Sequence, residues 1–312
     1  MANEYPTMLD LAKMNGIDMA LPLIENNVKY APELNIFPAR TISGTSFKTL
    51  IQTALPGSQF RNANEGVFTT KALYTNKQVE CFYLDQQMEC DKALADADDQ
   101  GADKLLQRLS NAHGKAAVIK IGTQIWYGQT ANGDAKGFPG AISVVKSDYV
   151  LDAGGTTAST GSSVYGVKMG EENANIIFGK NTVLNSEGWR KQTITRDSKE
   201  LTAWKNSLEG WVGMQWANED CLCRLKDCTA DAGKMATDHK LAELMSKLVW
   251  VPDFWFMTRR SRFHIQLGRT PVLSSGTSTQ YTITSGMADL PQESNGIPII
   301  ISDCLLNTET LS

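Results

Sequence analysis

FKTLIQTALP (residues 47–56) and TTKALYTNKQVECFYLD (residues 69–85) are together rich in Thr, Val, Tyr and Phe, which is typical of β-strands. PGSQFRNANEG lies between them and holds turn-forming Pro, Gly and Asn residues. This pattern predicts two strands joined by a wide polar loop. A two-stranded hairpin alone in water is marginally stable, and both of its edges expose unpaired backbone groups. Something outside the hairpin must therefore cover it.

One unusually long helix is predicted directly after the hairpin, over residues 91–127. Asp91 can cap its N-terminus, and Gly128 stands where a C-terminal glycine is favoured. Negative charge near the start complements the helix dipole, at Asp96, Asp98, Asp99 and Asp103. One stripe has helical spacing and consists largely of small residues: Leu94, Ala97, Gly101, Leu105, Leu109, Ala112, Ala116 and Ala117.

Such a helix would span roughly 55 Å, because each helical residue adds about 1.5 Å. This is longer than a compact domain of this size needs, so the sequence favours a strut over a core helix. Gly101 and Gly114 are the positions at which the helix is expected to break or bend.

The composition is that of an ordinary globular protein. The chain has 312 residues, 42% hydrophobic and 21% charged, which excludes disorder as a general description. It has no apolar run long enough to cross a membrane and no basic region followed by an apolar one at the N-terminus. We therefore expect neither a membrane span nor secretion. The formal net charge of −4 argues against a general affinity for nucleic acid phosphates.

Arg259, Arg260 and Arg262 form the one basic cluster of the sequence. They follow an apolar run and are predicted to lie on a short helix that ends at Gly268. A solvated helix face is a simpler interpretation of this cluster than a phosphate site.

Cys221, Cys223 and Cys228 have the spacing C-x-C-x4-C, and His239 follows eleven residues later. Thiolates and an imidazole can hold zinc, but this spacing differs from the common zinc patterns. The favoured interpretation is a strand leaving a helix, in which the cysteines act as small apolar residues. The other cysteines are scattered, as expected in a reducing compartment: Cys81, Cys90 and Cys304.

The sequence contains no recognisable catalytic constellation. Its three histidines, His113, His239 and His264, form no H-E-x-x-H pair, and there is no G-x-S-x-G elbow or phosphate-loop motif. The glycine-rich run AGGTTASTGSS lacks the lysine of a phosphate loop and indicates a surface loop. We therefore predict that the protein is not an enzyme and has no catalytic residue, no cofactor and no metal site.

A second helix is predicted to begin at Asp197, because Asp197 and Glu200 have capping-box spacing, and to end near Asn218. Its mostly apolar face would consist of Leu201, Trp204, Leu208, Trp211, Val212 and Gln215. A third helix is predicted from about Thr237. Strands are predicted over residues 141–151, 164–178, 254–257 and 297–302.

The two remaining segments have little predicted regular structure. Residues 1–46 contain a short amphipathic segment followed by Pro32 and Pro38, and an extended arm is the simplest description. Residues 270–296 are rich in Ser and Thr, and they predict a mobile loop with one hairpin-like piece.

Several short segments resemble, in order and spacing, those of a tailed-phage major capsid protein family. They are LDLAKMNG, APELNIFPARTISGTSFKTL, FRNANEG, SVYGVKMGEENANIIFG, LTAWKNSLEGWVGMQWAN, LKDCTADAGK and NGIPIIISD, and they touch most of the chain. The order of an arm, a long hairpin, a strut helix and a small mixed domain is similar to the HK97-like capsid fold.

The resemblance implies an α+β, HK97-like fold with four parts. Residues 1–46 would be the N-terminal arm and residues 47–90 the extended β-hairpin, or E-loop. Residues 91–228 would form a peripheral domain with a spine helix at 91–127, and residues 229–312 an axial domain. Some members of this fold cross-link a hairpin lysine to a neighbour's asparagine. Lys71 and Lys77 lie in this hairpin, but no recognisable partner motif is present, so no cross-link is expected.

The resemblance also implies a function: a major capsid protein that assembles into hexamers and pentamers of an icosahedral head around double-stranded DNA. Expected partners are copies of the same chain, a portal, and separate scaffolding or decoration proteins, with DNA packaged without sequence specificity and no membrane. Assembly would take place in the bacterial host cytoplasm, and the protein would reside in the virion.

The hairpin tip is where we predict intersubunit contacts, at Arg61 and Glu65 flanked by Asn62 and Asn64. A solvated turn is the alternative interpretation of these residues. Two other functions stay open. One is an encapsulin-like cellular compartment, and the other is a soluble metal or redox protein built on Cys221, Cys223 and Cys228.

Overall fold

The structure is a computed structural model that describes residue 6 and residues 29–196, 198–269 and 289–311. Its elements follow one another as α1 Glu33–Ile36, β1 Ala39–Thr41, β2 Ser46–Ala54, β3 Leu73–Glu80, β4 Phe82–Asp91, α2 Lys92–Asp96, α3 Ala102–Tyr127, α4 Ala141–Val144, β5 Val150–Asp152, β6 Ser162–Val167, β7 Ala174–Phe178, β8 Asn185–Ser186, β9 Arg190–Arg196, β10 Lys199–Trp216, β11 Leu222–Cys228, α5 Asp238–Ser246, β12 Phe254–Met257, α6 Arg259–Arg269, β13 Glu293–Ser294 and β14 Ile297–Ile301. Short 3₁₀ turns at Ser147–Tyr149 and Glu219–Cys221 precede β5 and β11.

A first sheet is built around β10, which is 18 residues long. The strand order is β1-β7-β10-β4, and β8 and β9 also pair with β10. β4 runs antiparallel to β10 from the pair Ala203↔Asp91 to the pair Val212↔Phe82. The predicted helix ending near Asn218 is therefore wrong, because the same residues form the central strand of this sheet.

Two glycines contribute to making this segment a strand. A Cβ on Gly210 would lie 2.9 Å from Cδ2 of Leu184, and a Cβ on Gly213 would lie 2.6 Å from the carbonyl oxygen of Glu80. Glycine in a strand commonly marks such a close approach. In a helix interior, by contrast, each glycine costs about 1 kcal/mol relative to alanine.

The helix predicted over residues 91–127 is shorter and interrupted. α2 ends at Asp96 and α3 begins at Ala102, because Gly101 has a φ of 91°, a positive angle that suits glycine and ends the regular helix. α3 then passes through Gly114 without a break. Its 26 residues give a rod of roughly 39 Å.

Three predicted helix ends are confirmed. The Asp91 carboxylate caps α2 by accepting a hydrogen bond from the backbone N–H of Ala93 at 3.0 Å. Gly128 follows α3 with a φ of 54°. Thr237 caps α5, since its hydroxyl accepts a hydrogen bond from the backbone N–H of Lys240. These local signals were sufficient because each depends on a few neighbouring residues.

A second sheet has the strand order β13-β14-β12-β6-β11-β5. β12 and β14 confirm the strands predicted over residues 254–257 and 297–302. The strand predicted over residues 164–178 is in fact two strands, because β6 belongs to this sheet and β7 to the first. Over residues 141–151, the chain forms α4 and a 3₁₀ turn, and only β5 at the end is extended.

The loop predicted over residues 270–296 lies mostly outside the described residues, as does most of the predicted arm. Its last residues form β13, which turns into β14 through Asn295 and Gly296. Their φ values of 53° and 78° are both positive, as a tight Asn-Gly hairpin turn requires.

The main core lies where the C-terminal half of α3 meets both sheets. Trp126 stacks on Tyr165 of β6 at 5.0 Å between ring centroids and contacts Phe256 of β12 at 4.9 Å. Phe37, which follows α1, stacks on Phe256 at 5.5 Å. The same cluster includes Met214 of β10. The helix therefore joins the two sheets through its last turns. Among the described residues, no helix has the length and apolarity needed to cross a membrane.

A second core lies on the other side of the second sheet, where α5 and α6 pack. The predicted basic helix is confirmed as α6, and two of its arginines form hydrogen bonds within the chain. Arg259 forms two hydrogen bonds with the Asp303 carboxylate, at 2.9 and 2.8 Å. Arg260 donates to the carbonyl oxygens of Thr160 and Cys228.

The cysteine cluster is divided between these two cores. Leu222–Cys228 is a strand, as predicted, although it follows a 3₁₀ turn instead of a helix. Cys221 packs in the main core, whereas Cys223 and Cys228 pack in the second. Burial raises the pKa of Cys221 to about 11 and those of Cys223 and Cys228 to about 12, which opposes the thiolate form that binds metals. His239 is exposed on α5.

A buried carboxyl group joins α1, α3 and the segment after β14. The Oε1 atom of Glu33 accepts a hydrogen bond from Trp126 Nε1 at 2.8 Å and also contacts the Ser302 hydroxyl. Its Oε2 atom is buried beside the Cys304 thiol. Desolvation by burial raises the pKa of Glu33, and the bonds from Ser302 and Trp126 only partly oppose this.

Glu33→Gln is expected to become more stable relative to the wild type as the pH rises. The folded pKa of Glu33 lies above its unfolded value, so the stability linked to its protonation is complete below the unfolded pKa and is lost as the pH rises through the folded pKa. Glutamine keeps an acceptor for Trp126 and cannot ionise. Urea unfolding at pH values from 4 to 8 would measure the difference.

Glu33→Ala is the matched control for this experiment. It leaves Trp126 and Ser302 without their buried partner and should lower the free energy of unfolding by about 2–6 kcal/mol, since each orphaned group costs about 1–3 kcal/mol. An unchanging difference between Glu33→Gln and the wild type across this pH range would show that Glu33 does not titrate with a raised pKa.

Candidate assembly interface

The hairpin β2–β3 forms a two-stranded sheet of its own, and neither strand pairs with another strand among the described residues. Its register runs from Ser46↔Glu80 to Ala54↔Leu73. The predicted hairpin is confirmed, but its second strand ends at Glu80. The chain then enters β4, which belongs to the first sheet, so residues 82–90 are not part of the projecting hairpin.

The root of the hairpin is fixed to the first sheet. Val79 is buried in a small cluster with Cys81 and Ile177, and Phe47 packs against it. The backbone N–H of Cys81 donates to the carbonyl oxygen of Thr45 at 2.8 Å. These contacts hold the base of the hairpin while its far end extends away from the core.

Lys77 makes a further contact at the root. Its Nζ donates to the carbonyl oxygen of Trp216 at 2.7 Å, so this lysine is engaged within its own chain. Lys71 is exposed.

The outer part of the hairpin exposes large apolar side chains. Residues 52–71 are all exposed, and Phe60 has an exposed fraction of 108%. The other exposed large apolar residues of the hairpin are Leu50, Leu55, Val67, Phe68, Leu73 and Tyr74. Several exposed large apolar side chains on one projecting element are typical of a protein interface.

The four predicted contact residues lie together at the tip. Arg61 Nη1 donates to the carbonyl oxygen of Glu65 at 2.9 Å, and the Glu65 carboxylate accepts a hydrogen bond from the backbone N–H of Asn62 at 3.1 Å. Asn64 has a φ of 69°, which asparagine tolerates better than most residues. These bonds give the tip a defined shape, and all four side chains are exposed.

The sequence-based prediction overlooked the apolar residues around the tip. We described the loop as polar, yet Phe60 immediately precedes Arg61, and Val67 and Phe68 follow the turn. Large apolar residues in a segment with no visible core partner were the available signal.

The arrangement of the hairpin can bind another protein surface. Two open strand edges supply backbone donors and acceptors, apolar side chains supply buried area, and the tip supplies Arg61 and Glu65. No group of three or more His, Cys, Asp or Glu side chains in the described part of the chain is placed to hold a metal ion. The exposed edges and apolar side chains of the hairpin are typical of an assembly element.

Comparisons with known proteins agree with this geometry. The family model of the major capsid protein GP7 matches residues 36–311. The structure is similar to one from bacteriophage Epsilon15, with a TM-score of 0.70, 16% sequence identity, and coverage of 99% of this chain and 98% of that chain. No curated protein matches the sequence.

Two further solved structures are less similar. For Mycobacterium phage Adephagia the TM-score is 0.51 at 9% identity, covering 70% of this chain and 97% of that chain. For the SrpI encapsulin complex of Synechococcus elongatus the TM-score is 0.47 at 6% identity, covering 70% of this chain and 94% of that chain. The last value is too low to support the encapsulin alternative.

Proposed function

The chain belongs to the major capsid protein GP7 family and is a phage capsid protein with an HK97-like fold, and we propose that its hairpin binds an adjacent copy of the same chain. The observation that carries this proposal is the exposed outer hairpin, which presents Phe60 and Phe68 at exposed fractions of 108% and 84%. A neighbouring copy would cover these side chains and the open strand edges.

Many such contacts close a shell. A contact worth roughly 4–8 kcal/mol corresponds to millimolar to micromolar affinity, so misplaced subunits can leave. Several contacts for each subunit act together and make the completed shell resistant to dissociation. Hexamers and pentamers of an icosahedral head are the assembly that we propose.

In this proposal the two sheets belong to two different domains of the subunit. We propose that the projecting hairpin serves as the E-loop, and that α3 with the first sheet forms the peripheral domain. The second sheet joins β5, β6 and β11 to β12 and β14. This pairing supports an axial domain that includes residues 150–167 and 222–228 as well as the predicted residues 229–312.

The remaining partners belong to the same proposal. A head that packages double-stranded DNA needs a portal, and scaffolding or decoration proteins would act as separate chains, with assembly in the bacterial host cytoplasm. The net charge of −4 would prevent the capsid shell from binding the packaged DNA tightly. Strong, salt-sensitive DNA binding by purified subunits would contradict this part of the proposal.

Electron microscopy of the expressed chain tests the proposed assembly directly. We expect closed, negatively stained particles of uniform diameter. A small soluble oligomer with stoichiometric zinc would instead favour the metal or redox alternative. Particles that copurify with a protein cargo and no nucleic acid would favour the encapsulin-like alternative.

Arg61→Glu is expected to lower the yield of particles several-fold without changing the stability of the unassembled subunit. Arg61 is exposed and contacts only the tip, so its reversal affects a partner surface and not the core. Exposed substitutions of this kind usually change stability by less than about 0.5 kcal/mol. Particle yield by sedimentation and subunit melting would be measured together.

Lys71→Glu is a matched control, because it makes the same charge change on another exposed hairpin residue. If Arg61→Glu gives the same particle yield as the wild type, Arg61 is not a residue of the interface. An equal loss for both variants would mean that overall hairpin charge, and not the tip contact, controls assembly.

A further inference from the structure

A groove lies between α3 and strands of the first sheet, and Pro6 is one of the residues that line this groove. The groove is lined by Leu109 and His113 of α3, by Met88 of β4, by Trp189 and by Lys205 of β10. Pro6 itself is partly buried. A residue near the N-terminus thus shares a surface with elements that are far away in the sequence.

The walls of this groove are held in place by hydrogen bonds that do not involve Pro6. Trp189 Nε1 donates to the hydroxyl of Ser110 on α3 at 2.9 Å. His113 Nδ1 lies 2.8 Å from Gln86 Nε2 on β4. The groove is therefore a preformed surface, with apolar area from Met88 and Leu109 and polar groups beside it.

Apolar area is what the groove offers to the segment that contains Pro6. Its charged lining residues, Lys205 and Glu89, lie 3.7 Å apart and pair with each other, and Glu89 also contacts Arg196. In residues 1–12 the charged side chains are Glu4 and Asp10, and the apolar ones include Met8, Leu9 and Leu11. The apolar residues of this segment complement the apolar floor of the groove.

The chain can reach the groove from its next fixed point. Tyr30 is held by two hydrogen bonds with Asp303, at 2.8 and 2.9 Å, and Glu33 binds Trp126 near the end of α3. His113 lies thirteen residues before Trp126 on this helix, or roughly 20 Å away. The 22 residues between Pro6 and Lys29 could span up to roughly 75 Å when extended, so the connection is not under tension.

We propose that the groove between α3, β4 and β10 is the docking site of the N-terminal segment of the same chain, residues 1–12. The apolar residues of this segment cover the apolar floor formed by Met88 and Leu109. Because the segment is tethered, its effective concentration at the groove is high even when each contact is weak. The inference concerns the single subunit and does not depend on the proposed shell.

Cysteine cross-linking in dilute, unassembled subunits tests the proposal. Gln87 is exposed and lines the groove, so the variant Pro6→Cys/Gln87→Cys is treated with a short bis-maleimide. The six native cysteines are buried and should react slowly. We expect a cross-linked peptide at least about ten times more abundant than in Pro6→Cys/Gln107→Cys, whose second cysteine is exposed on α3 two residues from Leu109 and thus on the opposite face.

Mixing isotopically labelled and unlabelled subunits before cross-linking identifies the occupant. Peptides of a single isotope composition support docking within one chain, whereas mixed peptides would show that a second copy supplies the segment and would overturn the proposal. Equal yields for the Gln87 and Gln107 variants would also overturn it. Adding Met8→Ser/Leu9→Ser/Leu11→Ser should reduce the Gln87 cross-link several-fold, and an unchanged yield would overturn docking through apolar contacts.

Discussion

Replacing residues 55–72 with an Asn-Gly turn is expected to abolish particle formation while the subunit stays folded. The outer hairpin makes no contribution to the cores, because the side chains of residues 55–71 are all exposed. The pair Ala54↔Leu73 closes the register, so a two-residue turn can connect the shortened strands. Sedimentation and electron microscopy would measure particles, and thermal melting would measure the fold.

The size of this effect follows from what the deletion removes. Leu55, Phe60, Val67 and Phe68 are lost together, and burying one large apolar side chain contributes about 1.5–3 kcal/mol. Their combined contribution is comparable to a whole intersubunit contact of roughly 4–8 kcal/mol. The remaining contacts of the subunit are too weak to compensate for this loss.

Phe60→Ser/Phe68→Ser is the accompanying variant, since it keeps the loop length and removes apolar area alone. Val249→Ser is the matched control, because Val249 has an exposed fraction of 91% and lies outside the hairpin, between α5 and β12. We expect few particles from the double variant and wild-type yield from the control. Normal particles from the shortened hairpin would show that the outer hairpin is not an assembly contact.

The parts of the fold that were predictable from sequence are those set by short-range chemistry. Asp91, Gly128 and Thr237 were recognisable as helix ends because capping depends on residues within one turn. The apolar runs at Phe254–Met257 and Ile297–Ile301 were recognisable as buried strands for a similar reason, since nearly every residue in them is apolar.

β10 was not predictable in this way because its partners are distant. Leu201, Trp204, Leu208 and Trp211 have helical spacing, yet the segment pairs along its length with residues 82–91 and with β9. Contacts on both edges override local periodicity. Gly210 and Gly213 were the contrary signal, since both weaken a helix and allow close approach in a sheet.

The candidate interface was likewise predictable from the sequence only in part. The hairpin and its exposed tip followed from composition and from the absence of a local core. The contribution of Phe60 and Phe68 did not, because apolar residues in a sequence are usually assigned to a core. Only the three-dimensional arrangement shows that no core reaches them, with Phe68 exposed at 84%.

A buried ion pair ties the C-terminal segment to the rest of the subunit. The Glu309 carboxylate accepts hydrogen bonds from the hydroxyls of Tyr127 and Ser163, both at 2.6 Å, and lies 3.4 Å from Arg224 Nη2. Burial and the neighbouring carboxylate raise the pKa of Tyr127, which keeps its hydroxyl protonated as a donor. The backbone N–H of Glu309 donates to Gly161 at 2.9 Å. One side chain thus joins the end of α3, β6 and β11.

Glu309→Ala is expected to lower the free energy of unfolding of the subunit by about 3–5 kcal/mol, because it leaves the buried Arg224 charge without its partner. Arg224→Met/Glu309→Ala should recover part of this loss, since it removes both charges. Glu172→Ala is the control, because Glu172 is exposed, and it should change stability by less than about 0.5 kcal/mol. Urea unfolding of unassembled subunits would compare the three variants. If the double variant were no more stable than Glu309→Ala, the unpaired Arg224 charge would not be the source of the loss, and the ion pair would not be what holds the C-terminal segment in place.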